Sequence, residues 1–280
     1  MAAHFAMNAV SSPPDENGAT QAVALFGGVY NNHLALAALL EDIARREITD
    51  VYCLGDLGGF GPHPDKVFPL LREARVKTMQ GNYDNSVGHD KPDCQCGYTD
   101  PRDNYFARLS YQYTHRNTSP DNKEWMRALP EQFEFNLGGA RVRLCHGSPR
   151  RMNEFLWETT TSDAFLERLC SECHADVIVA THTGLHWTRE LPSGRRFVNC
   201  GVIGRPANDG RTDVWYCILK PAPAREVAVE FVPLSYDHER LAQEMRSERL
   251  PDEFIETIET GWWTTCLEVL PGKERARGKC

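Results

Sequence analysis

AVALFGGVYNNHLALAALLEDIARREITDVYCLGDL, residues 22–57, decides the fold. The unbroken apolar run AVALFGG (22–28) reads as a buried strand, and HLALAALLEDIARR (33–46) repeats apolar residues every three or four positions, as a helix does. DVYCLGDL then reads as a second strand ending in a loop at Asp56. A helix through DKVFPLLREA and a short strand, VKTMQGN, extend the pattern to β-α-β-α-β, which predicts a largely parallel sheet with right-handed crossovers. Residues 86–104 read as a polar insertion, and helical character returns from Asn104 to Leu129. QFEFNLGGARVRLCHG reads as a hairpin turning at Gly138 and Gly139. A helix through SDAFLERLCSECH leads to the strands DVIVATHT, RRFVNCGVIG, TDVWYCILK and EVAVEFVPL. Two sheets with helices outside each is the expected α/β assembly.

This divides the chain into a flexible segment over 1–20, a main domain over 21–232 and a helical extension over 233–280 that packs on the same domain. Five places set polar residues directly after strand-like runs: LFGGVYNN (25–32), CLGDLGGFGP (53–62), GNYDN (81–85), LCHGSP (144–149) and VIVATHTG (177–184). Side chains at the carboxyl ends of strands converge in one crevice. Asp56, Asn82, His146 and His182 bring oxygen and imidazole donors of the kind that hold Mn, Zn or Fe.

In these segments the chain resembles the calcineurin-like metallophosphoesterase family, whose ordered signature is DxH, GDxxxxG, GN(H/x)(D/E), HG(S/x)P and GHTH, followed by a glycine-rich segment. The matching stretches are GVY, GDLGGFG, GNYD, HGSP, THTG and NCGVIGRP (199–206), spread over roughly residues 22–220. The resemblance implies a four-layer α-β-β-α sandwich, a divalent metal cofactor and hydrolysis of a phosphoester. It assigns Asp56, Asn82, His146 and His182 as ligands of one metal. The departures are equally informative. Gly28 stands where the first aspartate of the signature belongs, Tyr30 where its histidine belongs, and Gly184 where the last histidine belongs. One of the family's two metal sites is therefore missing as a unit while its neighbour is complete, which implies one ion per chain. A rebuilt second site would need other donors: Tyr30, His33, His63, His186, or the thiols of Cys94 and Cys96.

Tyr83 and Asp84 stand where many relatives place a proton donor and its partner, and are the catalytic candidates; a tyrosine of ordinary pKa near 10 is the poorer acid. Asn32 either contacts phosphate or caps the following helix. Arg150, Arg151 and Arg205 follow the metal loops, and guanidinium forks match phosphate oxygens. The reading is of a phosphatase or phosphodiesterase acting on a small phosphorylated substrate. The alternative is a catalytically impaired protein that binds a phosphorylated ligand.

A formal net charge of −8 disfavours nucleic acid or an anionic membrane surface as partner. No apolar run approaches the ~18 residues of a membrane span, and the N-terminus lacks the basic and apolar blocks of a secretory signal. Ten cysteines without a small-scaffold pattern read as reduced thiols in a cytoplasmic protein. The glycines of GDLGGFGP fit neither GxGxxG nor a P-loop.

Overall fold

The computed structural model describes residues 9–11 and 22–277. In chain order its strands are β1 Ala9–Ser11, β2 Val23–Phe26, β3 Asp50–Cys53, β4 Lys77–Thr78, β5 Gln132–Leu137, β6 Ala140–Leu144, β7 Val177–Ala180, β8 His186–Glu190, β9 Arg196–Cys200, β10 Val214–Pro221 and β11 Val227–Leu234. Its α-helices are α1 His33–Arg45, α2 Val67–Glu73, α3 Asn82–Gly88, α4 Pro101–Asn117, α5 Pro120–Ala128, α6 Asp163–Glu172, α7 His238–Ser247, α8 Asp252–Thr260 and α9 Gly272–Ala276.

The strands form two sheets, ordered β11-β10-β2-β3-β4 and β1-β5-β6-β7-β9-β8. Strands β2, β3 and β4 run parallel, as the alternating pattern requires. Both sheets are nevertheless mixed, because β10 pairs antiparallel with β2 and β11, and β8 doubles back antiparallel on β9. The inner faces interdigitate through Leu25, Tyr52 and Leu219 of the first sheet and Val142, Val179 and Val198 of the second. The opposite face of the first sheet packs Phe26 and Ile218 on Leu36 and Leu39 of α1, and that of the second packs Ile178 and Phe197 on Leu166 and Leu169 of α6. Alternate residues of each strand thus bury against different layers, giving the α-β-β-α sandwich.

Two short elements escape the sequence pattern. Helix α3 begins inside the GNYDN motif, where a run of Asn, Tyr, Asp, Asn and Ser has little helix propensity; the Asp84 carboxylate secures its first turn by accepting from Gly81 N at 2.8 Å. Strand β8 is an edge strand recognisable only through its pairing with β9. Within the leading segment expected to be flexible, Ala9–Ser11 pairs in parallel with Gln132–Glu134; the rest of that segment lies outside the described residues. Helices α7 and α8 set Leu241, Met245, Phe254 and Ile258 against Tyr30, Phe60 and Phe106 at the end of the sandwich that carries the metal loops. Among the described residues no helix is long and apolar enough to cross a membrane.

Leu25 is fully buried between the sheets. Leu25→Ala is expected to cost about 3 kcal/mol of stability, read as a lowered urea midpoint with an unchanged slope.

Candidate metal centre

The donors sit where strands end. Asp56 follows β3, His146 follows β6 and His182 follows β7, while Asn82 opens α3 just beyond β4. Asp56 and His182 both adopt left-handed backbone, φ +57° and +68°, which turns each side chain back from its strand axis. The loops carrying Asp56 and Asn82 touch backbone to backbone. A Cβ on Gly55, at φ +85°, would lie 2.1 Å from Gly81 N, and one on Gly81 would lie 2.3 Å from Asp56 Oδ1, so only glycine fits either position.

The donor atoms converge. His146 Nε2 lies 3.2 Å from His182 Nδ1 and 3.3 Å from Asp56 Oδ2, and one ligand atom from each of the three residues lies within 4.8 Å of the others. All are buried, His146 at 2 % exposure and Asp56 at 3 %. His146 Nδ1 donates to Leu54 O at 2.7 Å, which leaves its Nε2 as a lone pair facing a carboxylate and a second imidazole. Acceptors that face one another need a cation between them: a proton on His146, whose pKa the Asp56 carboxylate raises against burial, or a metal ion in its place. Asn82 supplies the second sign: its Nδ2 donates to Cys94 O at 2.9 Å while its Oδ1 is buried without a partner, as is His182 Nε2. A buried orphan acceptor is costly, and Asn82 Oδ1 borders a cluster of N and O donors suited to a divalent transition ion. The residues fit the metal that the resemblance implies.

Electrostatics agree. Burial opposes charge on Asp56, but the His146 imidazole outweighs it and holds the carboxyl below its usual range. For His182, burial and then the neighbouring His146 lower the pKa to about 3, keeping the ring neutral and available as a ligand.

The other candidates divide sharply. Asp84 is fully buried and spends both oxygens on backbone: Oδ2 accepts from Asp56 N and Gly81 N, each at 2.8 Å, and Oδ1 from Leu57 N at 3.0 Å. It is a positioning residue for the metal loops rather than a group aimed at substrate. Tyr83 lines the cavity beside the candidate metal donors, but its phenol donates to Ser110 Oγ at 3.0 Å and burial pushes its pKa up, which makes it a still weaker acid. Asn32 is a helix cap: Oδ1 accepts from Ala35 N at 2.9 Å, and Nδ2 faces the carbonyls of Ile203 and Gly204. Its whole amide is used inside the fold, leaving nothing for phosphate. Arg150 is on the surface, forked onto Glu154 and stacked over Phe165, and Arg151 is exposed beside it; neither lines the cavity. Arg205 does line it, at 6 % exposure.

None of the surplus donors rebuilds the second site. Cys94 and Cys96 are joined as a disulfide, against the expectation of reduced thiols, though Cys96 still borders the cavity. His33 and His63 face Glu244 outside the cavity. Tyr30 lines the cavity, and burial pushes its pKa up. His186 stacks on Trp215, ring centroids 4.2 Å apart. Residues that the motifs did not flag complete the wall: Phe60, Tyr98, Phe254 and Cys266, with Trp263 behind them against Arg205. They come from segments far apart in sequence, and only the apolar spacing of α8 hinted that one of them would be buried.

Two stacked sheets with buried N and O donors at one end define a metallophosphoesterase-type α/β protein. The chain belongs to the calcineurin-like phosphoesterase superfamily, whose domain model matches residues 23–221. A curated relative, an uncharacterised protein of Methanocaldococcus jannaschii, is 25% identical over 256 residues, covering 85% of this chain and 98% of the relative. Among solved structures, a hypothetical protein from Pyrococcus horikoshii superposes with a TM-score of 0.72 at 21% identity, covering 87% of this chain and 99% of that one. A metallophosphoesterase from Sphaerobacter thermophilus superposes with a TM-score of 0.66 at 22% identity, over 87% and 100% of the two chains. These likenesses show the shared fold.

Asp84→Asn replaces an acceptor of the loop amides by a donor that faces them. It is expected to weaken metal binding by about tenfold or more, measured by competition with a chromophoric chelator. Burial lowers the His186 pKa from 6.5 to about 4, so the unfolded chain binds the proton more readily and stability falls as pH drops from 6.5 towards 4. Replacing His186 with Gln should flatten that limb by about 2 kcal/mol at pH 4.5, seen by comparing urea unfolding of the two proteins at pH 7 and pH 4.5.

Proposed function

We propose that this protein hydrolyses a small phosphoester at a centre holding one divalent transition ion, Mn, Zn or Fe, ligated by Asp56, Asn82, His146 and His182. The observation that carries the reading is the convergence of three donor residues within 4.8 Å, bordered by the orphaned Oδ1 of Asn82 and Nε2 of His182. When bound, such an ion supplies Lewis acidity towards a phosphoryl oxygen and lowers the pKa of water. The chain supplies the rest. His146 is oriented by the Leu54 carbonyl, Asp56 and Asn82 are held in register by Asp84, and Phe60, Tyr98 and Phe254 give the cavity an apolar aromatic wall.

The cavity is about 50 Å³, room for a few waters or one phosphoryl group. That favours a substrate whose phosphate enters while the remainder stays outside. The formal charge of −8 and the narrow site speak against nucleic acid as partner. Among the described residues seven cysteines are free, six of them buried, which favours a reducing compartment, and we assign the protein to the cytoplasm; the Cys94–Cys96 pair is the exception.

One observation favours the alternative of a ligand-binding protein with impaired catalysis: neither Tyr83 nor Asp84 presents a proton donor to the cavity. The two readings part on turnover. Protein purified without nickel resin or chelator is expected to carry about one metal ion per chain by elemental analysis, to lose it in His146→Ala, and to hydrolyse aryl phosphate mono- or diesters only when the metal is present. Bound metal without turnover on either ester class would move the assignment to the binding protein, and no bound metal after supplementation would sink the hydrolase reading and leave the ligand-binding protein.

A further inference from the structure

Among the described residues Arg205 is a buried cation without a carboxylate counter-ion, its side chain hydrogen-bonded to the Cys266 thiol. It is 6 % exposed, its Nε has no hydrogen-bond partner, and none of the ion pairs among the described residues includes it. Its guanidinium lies 3.5 Å from the centre of the Trp263 ring, with Tyr30 and Phe60 at 5.8 and 5.9 Å. Trp263 is itself pinned: its Nε1 donates to Pro206 O at 2.7 Å and its backbone N to Asn208 Oδ1 at 2.9 Å. Stacking fixes the plane of a guanidinium and offsets part of its desolvation. It does not neutralise the charge, and an unpaired buried charge is costly unless an anion joins it.

The position of this cation is informative. A Cβ on Gly184, the residue standing where the signature's last histidine belongs, would lie 3.3 Å from Arg205 Nη2 and 2.9 Å from the Trp263 ring. A Cβ on Gly28, standing where the first aspartate belongs, would lie 2.3 Å from Val202 Cγ1 and 2.8 Å from the Tyr30 ring. The space towards which the missing ligands would project is therefore occupied by Tyr30, Val202, Trp263 and the Arg205 guanidinium. Arg205 shares one cavity wall with Asp56, Asn82 and His182. A fixed cation and a cluster of metal donors thus border a single small cavity.

We propose that Arg205 binds a non-bridging phosphoryl oxygen in this cavity, standing in charge for the metal ion that Gly28, Tyr30 and Gly184 do not ligate. This rests on the phosphoester reading above and deepens it: the ligand is a phosphoryl dianion clamped between one metal ion and one guanidinium fork. Arginine suits the position because it stays protonated when buried and offers two parallel donors.

The test is calorimetric titration of inorganic phosphate into the metal-loaded full-length chain, with metal content measured on the same samples. In Arg205→Ala the expected result is unchanged metal content with phosphate affinity weakened about 100-fold. Millimolar guanidinium should restore part of that loss by entering the slot left against Trp263. Arg205→Lys should retain part of the affinity, since it keeps the charge and loses the fork. Phosphate affinity unchanged in folded Arg205→Ala, or no phosphate binding by the metal-loaded parent, would overturn the proposal. So would a loss that Arg205→Lys shares in full and guanidinium does not relieve, because that marks a packing role. Turnover with Arg205-independent phosphate binding removes the proposal and leaves the hydrolase reading standing, whereas Arg205-dependent phosphate binding in a chain that takes up no metal supports the anion site and removes the hydrolase.

Discussion

The backbone contact between the Asp56 loop and the start of α3 governs the rest of the site. Gly55 and Gly81 approach so closely that no side chain fits at either, and this brings the Asp84 carboxylate within reach of three amides, those of Asp56, Leu57 and Gly81. In return Tyr83 N donates to Asp56 Oδ1 at 3.0 Å. The two loops hold each other reciprocally, each carboxylate fixing the other's backbone. Because Asp56 and Asn82 lie on either side of this joint, the candidate metal donors are pre-positioned by the protein itself, which is the condition for tight and selective binding.

Holding the joint has an electrostatic consequence. Asp84 is buried beside another carboxylate, and burial followed by the charge of Asp56 raises its pKa to about 7, opposed by the three amides it accepts from. A second anion so close to the donor cluster is tolerable only with positive charge nearby. A metal ion at the cluster would supply it, and the N–H dipoles supply part of it in the protein itself. The carboxylate read from the motif as a proton-transfer candidate thus serves the backbone instead, and its oxygens carry the geometry of Asp56.

The layers of the sandwich were legible because strands β2 to β4 and helices α1 and α2 alternate with clean periodicity, and burial on both faces leaves an unbroken apolar run. The mixed character of both sheets was less legible, since the direction of β8 and β10 depends on long-range pairing and not on local pattern. The convergence of the candidate donors Asp56, His146 and His182 was legible because each directly follows a strand-like run. Arg150 and Arg205 show the limit. Both follow metal loops in sequence, yet one turns outward to Glu154 and the other is drawn inward by Trp263, a residue 58 positions later that belongs to no motif. Asn32 fell to its plainer reading because a helix N-terminus needs its orphan amides satisfied, and the whole side chain is consumed in doing so.

The missing half of the metal site is a filled space rather than a vacant one. Were Gly28 and Gly184 merely lost ligands, restoring aspartate and histidine there would restore a second ion. The structure argues otherwise on steric grounds. Gly28 takes φ +49° with Val202 and the Tyr30 ring against it, and Gly184 takes φ +82° beneath Trp263. A side chain at either place meets both a left-handed backbone and a packed aromatic ring; Tyr30 belongs to the cluster by which α7 and α8 join the sandwich, and Trp263 to a second cluster with Trp157 and Leu185. Rebuilding the second site would mean dismantling that junction. The glycines, the aromatic wall and the buried guanidinium therefore form one packing solution, in which the space of an ion has been given to an arginine.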